Sequence, residues 1–400
     1  MNKYTEVAIA YLAYGCGKIY NVIRRNREKD VQRILVVRTD AIGDMVVTLP
    51  FLRELRNNYP DHRITLVCSP LVYNLVERCP DIDEVLIYRK QYSKHKYMTN
   101  LKESICFANT HFCNRNYELA VVPSYAAPDS YADAWLCFWA GAKRRIGYTE
   151  QVDDHKHAYY MGSIDCYFTD LLDDRMVTHE VEAPLGLLRQ VLHGKVSNEA
   201  VELWTDEQDK EIVADMVHSM RLNDKKIKIA VNLSTSNRTK DWPVDDYLKV
   251  CQHLQGKYPV QFLLIGAGHD AEEYRDIFCS AEVSAYDFVG RTTLRQTVEV
   301  LRQSDMYLGG DTGPMHLAAA CGLAGVVIYK TARSVSGRLR DPAKIFAPWQ
   351  SDMTVIQPER ALPGCEDGCN RGVAHCIKQI TVEQVIAAME KQLVLHEFSA

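Results

Sequence analysis

Residues 309–322, GGDTGPMHLAAACG, set two glycines, an acid, a hydroxyl, a proline and a histidine directly in front of an apolar run. The spacing predicts a strand ending at 306–310, a turn of Asp311, Thr312 and Gly313, and a buried helix opened by Pro314. Glycine lets backbone come close to a ligand, and the unpaired N–H groups of a first helical turn form an anion site with the helix dipole behind them. The dipole is worth roughly 0.3–1 kcal/mol and a hydrogen bond to a charged group about 1.5–3, so the Thr312 hydroxyl and the backbone donors should dominate. A diphosphate suits such a mouth. In a plainer reading of the same residues, Asp311 or Thr312 caps the helix and His316 is a satisfied core histidine.

Two other turns carry candidate chemistry. RTDAIGDMVVTLP (38–50) puts Gly43 and Asp44 where a helix starts, without the G-x-G-x-x-G of a dinucleotide site. Asp44 is either a helix cap or a carboxylate that takes a proton from a substrate hydroxyl. NLSTSNRTKDWP (232–243) is a hydroxyl-rich loop bearing Ser234 and Thr235 ahead of a helix opened by Pro243. Its Lys240 is either a solvated loop lysine or a compact cation offsetting charge on a leaving phosphate.

The elements that position these turns follow from periodicity. From residue 31, short β-branched runs alternate with amphipathic stretches, the pattern of βαβ units and a mostly parallel sheet. ILVVR, RITLVCS, EVLIY and ELAVVPS read as strands of one sheet, DAWLCFWAGAKRRIGY adds a helix and a further strand, and helices are expected over 45–57 and 178–192. KIKIAVNLS, VQFLLIGAG, AYDFVG, DMYLGG and AGVVIY read as strands of a second. The expected division is an amphipathic helix over 1–30, a Rossmann-like domain over 31–195, a linker over 196–225 and a second Rossmann-like domain over 226–400. Ligands of open α/β sheets bind outside the carboxyl ends of the strands, so two such sheets facing one another are expected to enclose a cleft.

Composition narrows the function classes. A chain of 400 residues with 47% hydrophobic and 25% charged residues has enough apolar material for two sizeable cores. A net charge of −5 gives no basic excess, which argues against a nucleic-acid partner. Thirteen cysteines without a disulfide spacing point to a reducing cytoplasm. In CEDGCNRGVAHC, Cys365, Cys369, His375 and Cys376 are ligand types for zinc or iron, but C-x3-C-x6-C matches no established zinc spacing, and the cluster is left unassigned. Near the N-terminus the apolar stretch 7–14 is far short of the roughly 20 residues that cross a bilayer, and Arg24, Arg25 and Arg27 follow it rather than precede it. A helix with Ile9, Leu12, Ile19 and Ile23 on one face could lie on an anionic membrane surface or pack on its own domain.

ILVVRTDAIGDMVVTLPFLRELRNNYP, TKDWPVDDY and GGDTGPMHLAAACG, in this order and spacing, resemble the ADP-heptose:lipopolysaccharide heptosyltransferases, glycosyltransferase family 9, over about 34–393, supported by AGAKRRIGY and HCIKQITVEQV. The resemblance implies a GT-B fold of two facing Rossmann-like domains, with an ADP-linked sugar bound mainly by the second and a lipopolysaccharide or other lipid-linked glycan acceptor by the first. It implies transfer with inversion, with no cofactor or required metal, at the inner face of the cytoplasmic membrane. Asp44 matches the family's general base and Gly43 its turn glycine. Lys240 matches the lysine at the donor diphosphate, and Asp311, Thr312, Gly313 and His316, with Pro314 and Met315 between them, match the group at the donor phosphates. Ser234 and Thr235 fall in the donor loop, and Asp270, in GAGHDAEE, near an acidic residue that holds the donor ribose. The chain departs from the family at Asn232 and Leu233, where Pro-Gly is common, and at YKTARS from Tyr329, where a Phe-Gly-Pro-type turn is common; both lie where donor base and sugar should sit. A nucleotide-sugar 2-epimerase or a catalytically silent nucleotide-sugar scaffold remain the competing classes.

Overall fold

The computed structural model describes residues 3–23, 31–91, 96–125, 131–334, 341–366 and 373–399. Its chain divides into two compact units, Met1–Glu199 and Ala200–Ala400. The first contains a six-stranded sheet of β1 (Arg33–Arg38), β2 (Arg63–Cys68), β3 (Glu84–Ile87), β4 (Tyr117–Val121), β5 (Arg144–Tyr148) and β6 (Asp170–Leu172). The second contains β7 (Ile227–Asn232), β8 (Val260–Ile265), β9 (Ala285–Asp287), β10 (Met306–Gly310), β11 (Ala324–Ile328) and β12 (Met353–Ile356). The orders are β3-β2-β1-β4-β5-β6 and β12-β11-β10-β7-β8-β9, and every pairing is parallel.

Counted from its own first strand, each sheet has the order 3-2-1-4-5-6 of the dinucleotide-type doubly wound fold. The strand sequences fit this burial: β1 and β8 are buried at every residue, as expected of β-branched strands covered on both faces. The order reverses between β1 and β4 in the first unit and between β7 and β10 in the second, so each unit has one ligand-accepting edge, at the carboxyl ends of those strands. The edge strands β6 and β12, three and four residues long, were not among the strands read from the sequence.

Several expected elements differ. The helix expected over 45–57 is two, Ile42–Val46 and Leu49–Asn58. Pro50 has no N–H to continue the first helix and instead takes a first-turn place in the second. The helix expected over 178–192 begins at Glu182, whose carboxylate accepts the Thr178 and His179 amides at 3.0 and 3.2 Å, and winds into a wider turn over Leu187–Val191. Much of the stretch read as a linker is the helix Glu207–Met220, with an Asp206–Asp209 capping box. The buried Arg295 of helix Leu294–Arg302 donates to Asp209 at 2.7 Å, which fixes that helix to the second unit.

The N-terminal helix Lys3–Ile23 packs on its own unit. Ala10 is fully buried in the first core, Tyr14 meets Phe138 at 5.3 Å between ring centroids, and Asn21 donates to the Phe138 carbonyl at 3.0 Å. A Cβ at Gly17 would stand 2.2 Å from the Phe138 ring, so only glycine permits this approach. The outer side leaves Tyr4, Leu12 and Ile19 74%, 68% and 66% exposed. Arg24, Arg25 and Arg27 and the Ile23 side chain lie outside the described residues, and no described helix is long and apolar enough to cross a membrane.

Candidate functional site

At the first switch point, β1 ends in Arg38 and the chain turns through Thr39, Asp40 and Ala41 into the helix Ile42–Val46. Gly43 is the second residue of that helix rather than part of the turn before it. Asp44 divides its carboxylate: Oδ2 accepts the Ala41 amide at 3.1 Å, and Oδ1 accepts Arg38 Nη2 at 2.9 Å. The capping reading of Asp44 is therefore realised, but it uses one oxygen of two. The Asp44 side chain keeps 24% exposure while Arg38 is only 2% exposed, so the cation lies beneath and the carboxylate above it.

Around this pair the fold gathers residues that no sequence motif marks. Asp40 receives Lys90 Nζ at 3.1 Å and the Ser124 hydroxyl at 3.2 Å, while Asp133 accepts the Thr39 hydroxyl. Glu180, buried, stands 3.7 Å from Arg38. Ser124 follows β4, so the cluster spans the switch point from both strands. The only sequence cue was an acid directly after a buried strand; Lys90 and Asp133 come from elements no spacing rule links to it.

The two neighbouring carboxylates are pushed apart. Burial raises Asp44, Arg38 pulls against it, and the charge on Asp40 adds to the rise, so Asp44 titrates above its ordinary value. Burial also acts on Asp40, but Lys90 and Arg38 overcome it and hold Asp40 low. Such a separation marks Asp44 as the group with a proton affinity suited to base chemistry and Asp40 as a fixed charge. A cavity of about 340 Å³ opens beside Asp40, lined by Thr39, Asp40, Ala41, Ser69, Pro70, Leu71, Arg89, Lys90 and Gln91. That volume falls within the range of small-molecule sites.

At the second switch point, the turns after β7 and β10 meet. Lys240 closes a 3-10 turn, Arg238–Lys240, capped by the Asn237 side chain, and its Nζ lies 2.7 Å from Asp311 Oδ2. Two residues singled out separately thus form one ion pair, 33% and 14% exposed. Thr312 is the N-cap of the helix Gly313–Ala320 and makes no side-chain capping bond. Thr312 thus takes the N-cap place of the plainer reading, but its hydroxyl is not spent on the helix. Pro314 sits in the first turn, as expected. Met315 is fully buried and its amide bonds the Thr312 carbonyl at 3.0 Å, so neither its side chain nor its N–H is offered to a ligand. His316 is buried at 5% exposure beside Phe346.

The glycines before the turn serve the fold instead of a ligand. A Cβ at Gly309 would lie 2.4 Å from the Tyr307 hydroxyl, and one at Gly310 would press on Thr235 at 3.2 Å. Ser234 is buried, and Thr235 turns its loop by accepting the Asn237 amide at 3.1 Å and donating to the Asn237 carbonyl at 2.8 Å. Asp270 differs most from expectation: its carboxylate is held by Arg238, which also reaches Glu273 at 3.0 Å. The Arg238 hydrogen bond lowers Asp270, and a ribose would have to compete for that oxygen.

The departures at 232 and 329 have structural content. Asn232 donates to the Ile265 carbonyl at 3.3 Å, tying the end of β7 to β8, and its Oδ1 is buried without a partner. Lys330, after β11, donates to the Thr239 hydroxyl at 3.1 Å, placing a second lysine at the Lys240 turn. Two groups have metal-ligand types among the described residues: Cys365, His375 and Cys376, and His269, Asp270 and Glu273. Cys369 lies outside the described residues.

Residues 110–370 match the family described as glycosyltransferase family 9 (heptosyltransferase). A putative glycosyltransferase of Haemophilus influenzae is 22% identical over 324 residues, 78% of this chain and 86% of the relative. Lipooligosaccharide heptosyltransferase 2 of Haemophilus ducreyi is 23% identical over 308 residues, 72% and 80% of the two chains. Among solved structures, a glycosyl transferase family 9 protein of Veillonella parvula superposes with a TM-score of 0.73 at 20% identity, covering 93% of this chain and all of the other. The ADP-heptose lipopolysaccharide heptosyltransferase II of E. coli gives 0.64 at 20% identity, covering 91% and 99%. Likeness at this level shows the fold, two Rossmann-like domains of GT-B type.

Proposed function

We propose, from the premise that this chain belongs to glycosyltransferase family 9, that it moves a heptose from an ADP-linked donor to a lipopolysaccharide or related lipid-linked glycan, with inversion at the anomeric carbon. The observation that carries the reading is the Lys240–Asp311 pair at the mouth of the helix Gly313–Ala320. It puts a cation, an unspent hydroxyl on Thr312 and first-turn amides at the one edge of the second sheet where a nucleotide diphosphate can be held. The ADP-heptose lipopolysaccharide heptosyltransferase II of E. coli, of the same fold, supports ADP-heptose as the donor.

The chemistry follows from the groups present. An acceptor hydroxyl is a poor nucleophile at neutral pH, and Asp44, with its raised proton affinity and partly exposed carboxylate, takes its proton as the new C–O bond forms. The C–O bond to the diphosphate breaks with the electron pair leaving on the phosphate oxygen. Lys240 and the amides opening the helix stabilise that charge, with Thr312 donating its hydroxyl. Lys240, paired with Asp311 Oδ2, already supplies a positive charge at this mouth, so the reading is of metal-independent transfer, with rates unchanged by added Mg²⁺.

The acceptor reading rests on the 340 Å³ cavity beside Asp40 and Lys90. Outward Tyr4, Leu12 and Ile19 support a peripheral seat for the N-terminal helix on the inner face of the cytoplasmic membrane that carries the acceptor.

The deciding experiment incubates the chain with ADP-heptose, alone and with a heptose-deficient lipopolysaccharide core. Heptose should reach the core only when both are present, leaving the donor intact otherwise. An isomerised sugar released from donor alone would make the chain an epimerase, and transfer from another nucleotide sugar in preference would replace the donor.

A further inference from the structure

We propose that Cys365, His375 and Cys376 bind one zinc ion that staples the C-terminal segment to the second unit. Cys365 Sγ lies 3.3 Å and Cys376 Sγ 3.8 Å from the same imidazole nitrogen, His375 Nδ1, and the three ligand atoms are within 4.8 Å of one another. In a tetrahedral site with Zn–S of about 2.3 Å and Zn–N of about 2.0–2.1 Å, ligand atoms stand about 3.5–3.8 Å apart. One ion therefore reaches all three without moving the backbone.

The two sulfurs sit inside the fold with a donor beside one of them. Both sulfurs are buried, and the Leu362 amide donates to Cys376 Sγ at 3.4 Å. A cysteine–histidine nucleophile uses one exposed thiol; here two buried thiols converge on one nitrogen, which is the demand of a metal and not of an attacking group. The other buried cysteines contrast with these. Cys68 has no polar partner, and burial pushes its thiol up to about 12. The exposed group of His269, Asp270 and Glu273 has no such claim, because Arg238 already occupies both carboxylates.

The site has mechanical consequences. Cys376 opens the turn Cys376–Gln379, Ile377 inserts in the core, and the Ile380 carbonyl accepts Trp242 Nε1 at 3.0 Å. Trp242 lies two residues beyond Lys240. The metal thus braces the segment on which the Lys240 loop rests, and its role is positioning.

The test measures zinc in the full chain purified without chelator, then strips it and titrates Zn²⁺ or Co²⁺ back. One equivalent is expected, with thiolate-to-cobalt charge-transfer absorption and a melting temperature raised by Zn²⁺. Cys365→Ser and His375→Gln should lose binding, whereas Cys251→Ser, in the core away from the site, should keep it. The wild-type cobalt spectrum stands even where a variant fails to fold. Folded wild-type chain with reduced thiols that takes up neither ion overturns the proposal, as does a Cys365–Cys376 disulfide in chain purified under reducing conditions.

Discussion

Arg38 shows how much a single buried side chain can organise. Its guanidinium, 2% exposed, faces Asp44, Asp40 and Glu180, so it fixes the carboxylate proposed as the base and limits how far burial can raise it. Replacing Asp44 with alanine should lower kcat by about 10²–10⁴, the usual worth of a general base, while the affinity for ADP, measured by calorimetry, stays the same. Near-normal turnover by that variant removes Asp44 from the mechanism. Asp44 works ionised, and its titration lies above the ordinary carboxylate value, so transfer should fall as pH drops through that raised value. Asp40→Asn takes away a neighbouring negative charge, which lowers the Asp44 value and should move the acid limb of the kcat profile to lower pH. A limb that stays put, or moves up, contradicts the assignment. For Lys240→Ala, the loss of one charge-assisted contact, about 1.5–3 kcal/mol, predicts a donor KM higher by roughly ten- to a hundredfold. Unchanged donor kinetics would restore the solvated-lysine reading.

Among the elements, the N-terminal helix realises the packing reading of the two that the sequence left as alternatives, and the membrane reading is a proposal with its own test. It docks through Ala10 and Gly17 and still leaves Leu12 and Ile19 outward. Deleting it would bare Phe138 and Trp139 and destabilise the unit whatever the membrane does. Leu12→Ser with Ile19→Ser spares the docking side, so vesicle flotation should drop while the melting temperature holds. Flotation equal to wild type would end the membrane proposal. Docking was one of the sequence's alternatives, but its contact point was not legible, because a glycine inside a helix gives no sign of the ring it admits. The split at Pro50 was readable in principle, since proline in a helical pattern ends the preceding turn, but the apolar period runs through it.

At the scale of the whole chain, ten of the strands were legible because parallel sheets demand nearly continuous apolar runs, and the turns of interest were legible because glycine, proline and acids cluster after them. The Lys240–Asp311 pair was not, since 71 residues separate partners that only the β7–β10 adjacency brings together. Nor was Arg238 capping off Asp270, because an exposed acid looks the same in sequence whether paired or free. If the donor is held as proposed, ADP should slow amide exchange most at 309–316 and 234–240. Protection strongest on the first unit's β1–β2 region would assign the nucleotide to the other sheet.

All strands within each sheet run the same way, so every loop that leaves the carboxyl end of a strand emerges at one rim, and none of the buried framework needs to change when such a loop does. Relatives at about a fifth identity can keep this chassis while exchanging what it carries. If the donor is held as proposed, a graft from a relative over Tyr329 to Ser334, with its added lysine, should alter which donor is accepted and leave the rest of the molecule standing.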